Sequence, residues 1–135
     1  MNIALIAHDK KKELMVQFCI AYRGIFAAHN LFATAATGRL VSEAADLNIT
    51  RFSSGLHGGG QQIGARIAYN EIDLLLLFRD PMSNIPHELE LLRLCDQHNI
   101  PAATNIATAE VLIQGLMRGD MDWRNLVNPT LGKPL

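Results

Sequence analysis

Polar residues that could bind a phosphate or transfer a proton lie at a few separate points of this chain. The most informative is a glycine-rich segment, residues 54–65 (SGLHGGGQQIGA), which runs directly into a helical pattern. A turn of this kind lets backbone N–H groups converge on a phosphate at a helix N-terminus. His8-Asp9 and Asp80-Pro81 each follow an apolar run, and imidazoles and carboxylates are common general acids and bases. These residues indicate a site for a phosphorylated ligand.

Apolar runs and helical patterns alternate around these residues. The apolar runs predict strands over residues 2–7, 31–34, 49–52, 72–78 and 100–104. The spacing between them predicts helices over residues 10–28, 39–46, 61–69, 88–98 and 108–117, with Thr108 as the N-cap of the last. The alternation predicts an α/β fold: a Rossmann-like three-layer sandwich, with a five-stranded, mainly parallel sheet flanked by helices. We expect residues 1–135 to form one domain, with an irregular C-terminal tail over residues 118–135.

Polar residues follow each predicted strand. In chain order they are His8-Asp9, residues 34–38 (TAATG), Ser54-Gly55, Asp80 and Thr104-Asn105. A parallel sheet binds its ligand beyond the carboxyl ends of its strands, at the point where the topology switches direction. The sequence therefore predicts a single site at that end of the sheet.

The composition of the 135 residues is that of a globular protein, with 49% hydrophobic and 19% charged residues. Since the formal net charge is −1, charge gives no reason to expect a nucleic acid or an anionic membrane as a partner. The longest apolar run, residues 74–78, is too short to span a bilayer. Cys19 and Cys95 lack the spacing of metal ligands, and we interpret them as reduced core thiols of a cytoplasmic protein with no metal site.

Taken together, these motifs resemble the methylglyoxal synthase family. The resemblance covers about residues 2–117, and the segments responsible are 7–12, 33–38, 54–65, 78–87 and 99–105. It implies a Rossmann-like domain that assembles as a homohexamer. It also implies a reaction that converts dihydroxyacetone phosphate into methylglyoxal and inorganic phosphate, without a metal or an organic cofactor.

The resemblance implies roles for individual residues as well. The phosphate-binding positions of the family correspond to Lys12, Thr34, Thr37, Ser54 and Gly55. His8 and His87 match substrate contacts, and His87 is placed to polarise or protonate substrate oxygens. Asp9 and Asp80 match acidic positions of the catalytic centre.

The chain departs from the family at the proton-abstracting base. The family has an aspartate immediately before the Gln-Gln pair, and here that residue is Gly60. Loss of a general base typically lowers a rate ~10²–10⁴-fold. Asp9, Asp80 and His57 are the candidates for a substitute base.

Two further positions differ from the family. A second family aspartate, shortly after the histidine that matches His87, has only Glu88 or Glu90 as a counterpart. In the phosphate loop, Ala35 and Ala36 stand where the family usually has glycine and threonine, which removes one hydroxyl donor.

These observations leave three functional hypotheses. The first is a lyase of the methylglyoxal synthase type. The alternative is a non-catalytic domain that binds a phosphate ligand as a regulatory sensor, because a phosphate site without a base is what such a domain needs. A third is a different reaction on a phosphorylated sugar or ketone, which the fold alone does not exclude.

Overall fold

The computed structural model describes residues 1–52, 59–83 and 86–130, with the side chains of residues 59, 86 and 87 excepted. The described strands are β1 (Asn2–Ala7), β2 (Asn30–Thr34), β3 (Ile49–Phe52), β4 (Leu74–Phe78) and β5 (Ala102–Ala103). The described helices are α1 (Lys12–Ala21), α2 (Arg23–Phe26), α3 (Ala35–Ala45), α4 (Gly59–Ala68), α5 (Pro86–His98), α6 (Ile106–Arg118) and α7 (Arg124–Val127). A single 3-10 turn, Asp9–Lys11, joins β1 to α1.

The five strands form one sheet in the order β3-β2-β1-β4-β5. Every neighbouring pair is parallel; Ile3, for example, is aligned with Leu31 on β2 and with Leu74 on β4. All strands therefore finish at the same end of the sheet, which we call the carboxyl end, and begin at the opposite, amino end.

Helices cover both faces of the sheet. Successive residues of a strand point their side chains to opposite faces, so each strand contributes to two cores. Ile3 and Leu5 of β1 belong to a core shared with α1, α2, α3 and α6. Ala4, between them, belongs to a second core shared with α4 and α5. The predicted three-layer α/β fold with a parallel sheet is confirmed.

Residues 10–28, predicted as one helix, form the 3-10 turn, α1 and α2. The break falls at Tyr22, whose backbone leaves the helical region (φ −112°, ψ 26°) two residues before Gly24, a poor helix former. The predicted apolar face survives the break, since the ring of Phe18 contacts those of Tyr22 and Phe26 at centroid distances of 5.0 and 6.0 Å.

The prediction was wrong for residues 35–38, which belong to a helix and not to a loop. Helix α3 begins at Ala35, four residues before the predicted start, and Thr34 is its N-cap. Alanine is the strongest helix former, so Ala35 and Ala36 form a first helical turn. The predicted phosphate loop is therefore a helix N-terminus.

The last predicted strand and helix also differ from the structure. Strand β5 has only two residues, partly because Pro101 has no N–H to donate. Helix α6 begins at Ile106 with Asn105 as its N-cap, and the Asn105 side chain accepts from the backbone N–H of Thr108 (3.0 Å). Thr108, predicted as the cap, lies in the first turn.

The described segment after α6, residues 119–130, is partly helical, against the expectation of an irregular tail. It contains α7, and the side chain of Arg124 is fully buried. The Arg124 Nε donates to Asp73 Oδ1 (2.9 Å) and its Nη2 to the Ile72 carbonyl (2.9 Å). Asn128 donates to the same Asp73 oxygen (2.9 Å). This network fastens residues 124–128 to the amino end of the sheet.

Cys19 and Cys95 are both buried free thiols, as predicted. Burial raises the pKa of each to about 12. Among the described residues, no helix combines the length and the apolar character that crossing a membrane requires.

Candidate active site

The switch point of the sheet lies between β1 and β4. The crossovers after β1 and β2 pass over one face and place β2 and then β3 on one side of β1. The crossover through α4 passes over the other face and places β4 on the opposite side. Beyond the strands, the His8 backbone N–H donates to the Phe78 carbonyl (3.0 Å), so the two segments stay together as they enter the site.

Both ring nitrogens of His8 are bound within the protein. Nδ1 accepts a hydrogen bond from the backbone N–H of Asp80 (2.8 Å), and Nε2 contacts the Oε1 atom of Glu88. Because Nδ1 accepts a proton, this pattern assigns the ring proton to Nε2, which donates it to the carboxylate. His8 was expected to contact substrate, but neither nitrogen is free to do so in this arrangement.

Glu88 is a buried carboxylate at this point. Its side chain is only 5% exposed, and its Oε2 atom lies 3.4 Å from the Nε atom of Arg79. The two atoms are close enough for an ion pair but misaligned for a hydrogen bond, since neither has a hydrogen-bond partner among the described residues. Glu90, the other sequence candidate, is an exposed partner of Arg93.

Lys12 and Asp9 form an ion pair after β1. The Lys12 Nζ donates to Asp9 Oδ1 (2.7 Å) and to the Ala7 carbonyl (3.0 Å). An ammonium has three N–H donors, and these contacts, the only ones in the described part of the chain, leave one. The Lys12 hydrogen bond and charge lower the pKa of Asp9, whose side chain is 98% exposed.

The carboxylate of Asp80, after β4, is less constrained. The residue is half-buried, and its Oδ1 atom accepts from the Met82 backbone N–H (3.0 Å). Its second oxygen has no contact within the described residues. Asp80 therefore places an unpaired carboxylate oxygen at the switch point.

The N-terminus of α3 has hydrogen-bond donors that the described residues do not satisfy. The first N–H groups of a helix have no intrahelical acceptor, and the cap residue Thr34 supplies no side-chain hydrogen bond to them. The Thr37 side chain, in the same turn, is 1% exposed, and its hydroxyl has no hydrogen-bond partner among the described residues. Such a group is costly to bury, and an anion beside the helix N-terminus would satisfy it.

The other predicted site residues contribute no described side chain to this group. Gly60 is buried in the first turn of α4. Ser54, Gly55 and His57 lie outside the described residues, and of His87 only the backbone is described, in the first turn of α5.

Glu88 was considered in the sequence only as a replacement for a family carboxylate. Its burial was readable there, because Glu88, Leu91 and Cys95 are spaced as one helix face, and all three are buried. Arg79 had no comparable signal, since its contact with Glu88 is set by the folded path of β4. Across the described residues, no three metal-binding side chains cluster as a metal site would require.

Comparison with known proteins identifies the family. A family model, the MGS-like domain, matches residues 14–104. A methylglyoxal synthase of Caldicellulosiruptor saccharolyticus is 62% identical over 98% of this chain and 96% of its own length. The chain belongs to the methylglyoxal synthase family. A family member from Geobacillus sp. is 52% identical over 98% of this chain and 97% of its own. The crystal structure of methylglyoxal synthase from Elizabethkingia anophelis is similar to this structure, with a TM-score of 0.77 and 40% sequence identity. The similarity covers 83% of this chain and 76% of the Elizabethkingia chain.

These findings confirm the resemblance inferred from the motifs and the α/β three-layer fold. Relatives that share 52–62% of their residues with nearly the whole chain are named methylglyoxal synthase. They favour the lyase hypothesis over a non-catalytic sensor. The roles of single residues within this chain remain predictions.

Proposed function

We propose that this chain is a carbon–oxygen lyase that converts dihydroxyacetone phosphate into methylglyoxal and inorganic phosphate. The observation that carries the proposal is the buried hydroxyl of Thr37 at the N-terminus of α3, which has no hydrogen-bond partner among the described residues. It supports a bound phosphate in a family whose relatives are named for this activity.

The phosphate is held by three kinds of donor. The backbone N–H groups of the first turn of α3 and the Thr37 hydroxyl give directional hydrogen bonds. The free N–H of Lys12 adds a positive charge from the neighbouring β1 segment. Ser54 and Gly55, by the family resemblance, complete the binding site from the end of β3.

Asp80 is the best-supported base among the described candidates. Asp9 is fully exposed, and its pKa is lowered by Lys12, so it is a weak base tied to another partner. Glu88 is enclosed by His8 and Arg79. Of these three carboxylates, Asp80 is the one without an ion-pair partner among the described residues, and only its Oδ1 atom accepts a hydrogen bond, from the Met82 backbone N–H.

The reaction then proceeds in three steps. Asp80 takes a proton from the hydroxymethyl carbon, and the electron pair moves onto the carbonyl oxygen to give an enediolate. The terminal hydroxyl of the enediolate then gives up its proton and becomes the aldehyde carbonyl, while the C=C electron pair shifts toward the other carbon and expels phosphate by breaking its C–O bond. The departing phosphate takes up that proton, and the donors of α3 and Lys12 stabilise the leaving charge. The resulting enol gains a proton on the former phosphate-bearing carbon and becomes methylglyoxal. His87 acts as the donor to the substrate oxygens.

The homohexamer implied by the family stays part of this proposal. Large apolar side chains are exposed on several helices, including Tyr69, Val111 and Leu126 at 73%, 68% and 66%, and subunit contacts would cover such surfaces. Light scattering after size exclusion would measure the mass of the assembly.

The deciding experiment measures methylglyoxal and phosphate release from dihydroxyacetone phosphate. We expect the unaltered chain to be active, and Asp80→Asn to lower kcat/KM by ~10²–10⁴-fold because it removes the base. Asp96→Asn is the matched control, since Asp96 is an exposed carboxylate near the opposite end of α5. It is expected to keep full activity.

The Gly60→Asp variant is a second test of whether Asp80 is the base. It restores the family's carboxylate at its usual position, in the first turn of α4, and is expected to raise the rate and to rescue Asp80→Asn. If the unaltered chain releases no methylglyoxal and Gly60→Asp alone creates the activity, Asp80 is not a base and the chain is not a lyase.

A further inference from the structure

The reaction above gives no role to the buried carboxylate of Glu88. Taking an ionised carboxylate out of water is destabilising unless its partners are well arranged. Here the compensation is partial, because Oε2 lies near Arg79 without hydrogen-bond geometry. Only Oε1 has a hydrogen-bond partner among the described residues, and that partner is His8.

We propose that Glu88 is a positioning residue, which acts through His8 to hold Asp80 in place for proton abstraction. The inference rests on the proposed function. Glu88 Oε1 accepts the Nε2 proton of His8, and the opposite ring nitrogen of His8 accepts the backbone N–H of Asp80 (2.8 Å). The imidazole thus links a buried carboxylate to the backbone of the base.

The acceptor oxygen of Glu88 determines which ring nitrogen of His8 carries the proton. An ionised carboxylate only accepts hydrogen bonds, so it favours the tautomer with the proton on Nε2 and leaves Nδ1 as an acceptor. With the proton on Nδ1, that N–H would face the N–H of Asp80, and this half-buried backbone donor would lose its partner. Arg79, 3.4 Å from Oε2, offsets the negative charge without competing for Oε1.

The segment after β4 is held from both neighbouring strands. On one side, the His8 backbone N–H donates to the Phe78 carbonyl (3.0 Å), and the His8 ring accepts from Asp80. On the other side, the Arg79 backbone N–H donates to the Thr104 carbonyl (3.2 Å). The bond to the His8 ring is the contact nearest the base, and it depends on the protonation pattern that Glu88 sets.

Two variants of Glu88 separate positioning from phosphate binding. Glu88→Leu removes the acceptor, and a base displaced by about 1 Å loses up to ~100-fold in rate. We expect kcat for methylglyoxal formation to fall roughly 10- to 100-fold, with KM nearly unchanged because Lys12 and Thr37 are untouched. Glu88→Gln keeps an acceptor oxygen and is expected to recover most of kcat. Glu90→Leu, an exposed glutamate on the same helix, is the control and keeps full activity.

The tautomer of His8 gives a readout that does not depend on activity. In ¹⁵N spectra we expect the proton on Nε2 in the unaltered chain and in Glu88→Gln. In Glu88→Leu we expect a mixture of tautomers and a shifted amide signal for Asp80. If the unaltered chain has its proton on Nδ1, or if Glu88→Leu lowers kcat without changing the tautomer, the proposal is overturned.

The same spectra separate this inference from the proposed function. An unaltered chain that shows the Nε2 tautomer but forms no methylglyoxal contradicts the lyase assignment and leaves the hydrogen-bonded link intact. If Glu88→Leu fails to fold, the spectra of the unaltered chain and of Glu88→Gln still show which nitrogen of His8 carries the proton. A Glu88→Gln enzyme with kcat as low as that of Asp80→Asn would contradict a positioning role.

Discussion

At the amino end of the sheet, the buried carboxylate of Asp73 accepts hydrogen bonds at both oxygens, from Arg124 and Asn128 on one and from the Asn2 backbone on the other. At the carboxyl end, the hydroxyl of Thr37 and one oxygen of Glu88 are equally buried and have no hydrogen-bond partner among the described residues. The two ends belong to the same five strands. A different sheet therefore does not explain why buried polar atoms have partners at one end and lack them at the other.

The contrast indicates that buried polar atoms with hydrogen-bond partners belong to the part of this domain that maintains the fold. Buried polar atoms without such partners belong to the part that binds a ligand. Four buried side-chain polar atoms lack a partner within the described residues, and three lie at the carboxyl end, on Thr37, Arg79 and Glu88. The fourth, Asn70 Oδ1, lies just before β4 at the amino end. A group left unpaired by the fold is available to a ligand or to a neighbouring catalytic residue.

The strongest test of this contrast removes a partner at the amino end. Arg124→Met leaves the carboxylate of Asp73 buried and uncompensated, so we expect the free energy of unfolding to fall by about 3–5 kcal/mol. Arg118→Met is the control, because the ion pair of Arg118 with Asp120 is exposed and is worth at most about 1 kcal/mol.

Denaturant unfolding measures both variants. The folded Arg124→Met enzyme should keep its kcat/KM, since a strand of five residues separates the two ends by roughly 17 Å. Equal destabilisation by the two variants would contradict the role assigned to the amino end.

A smaller effect is expected at the phosphate site from Lys12→Met. The charged hydrogen bond that Lys12 offers is worth about 1.5–3 kcal/mol, so the affinity for inorganic phosphate should fall roughly 10- to 100-fold. Titration calorimetry would measure it. Lys10→Met makes the same change of charge at an exposed position two residues away, and an equal loss there would mean that only the overall charge matters.

The smallest effect, and the sharpest for the contrast, is expected for Thr37→Val. Valine has nearly the shape of threonine but no unpaired hydroxyl, so the free energy of unfolding should rise by about 1 kcal/mol while phosphate affinity falls. Thr50→Val, at an exposed position in β3, should change neither quantity. A Thr37→Val protein that is less stable than the unaltered chain would show that the hydroxyl has a partner within the fold.

Much of the sheet was predictable because its strands are short, apolar and separated by helical patterns. The strand ends identified the correct end of the sheet for His8, Thr34 and Asp80. Local sequence did not predict that Ala35 and Ala36 extend α3, because the family resemblance favoured a loop over helix propensity.

The link between His8 and Glu88 could not be predicted in the same way. The two residues are 80 positions apart, and their contact depends on how α5 packs beside the switch point. The inward-facing side of α5 predicts the burial of Glu88, whereas its partner is set by tertiary structure. The same holds for Arg124, whose partner Asp73 is 51 positions away.

The network at the amino end also has a consequence for the order in which this domain is completed during synthesis. The Asn2 side chain donates to Thr130 Oγ1 (2.8 Å), a contact across 128 positions of the chain. All five strands have been translated by residue 103, yet the guanidinium that pairs with Asp73 belongs to residue 124 and leaves the ribosome later. A nascent chain that already contains the whole sheet therefore has an amino end without this network, which forms only when residues 124–130 have emerged.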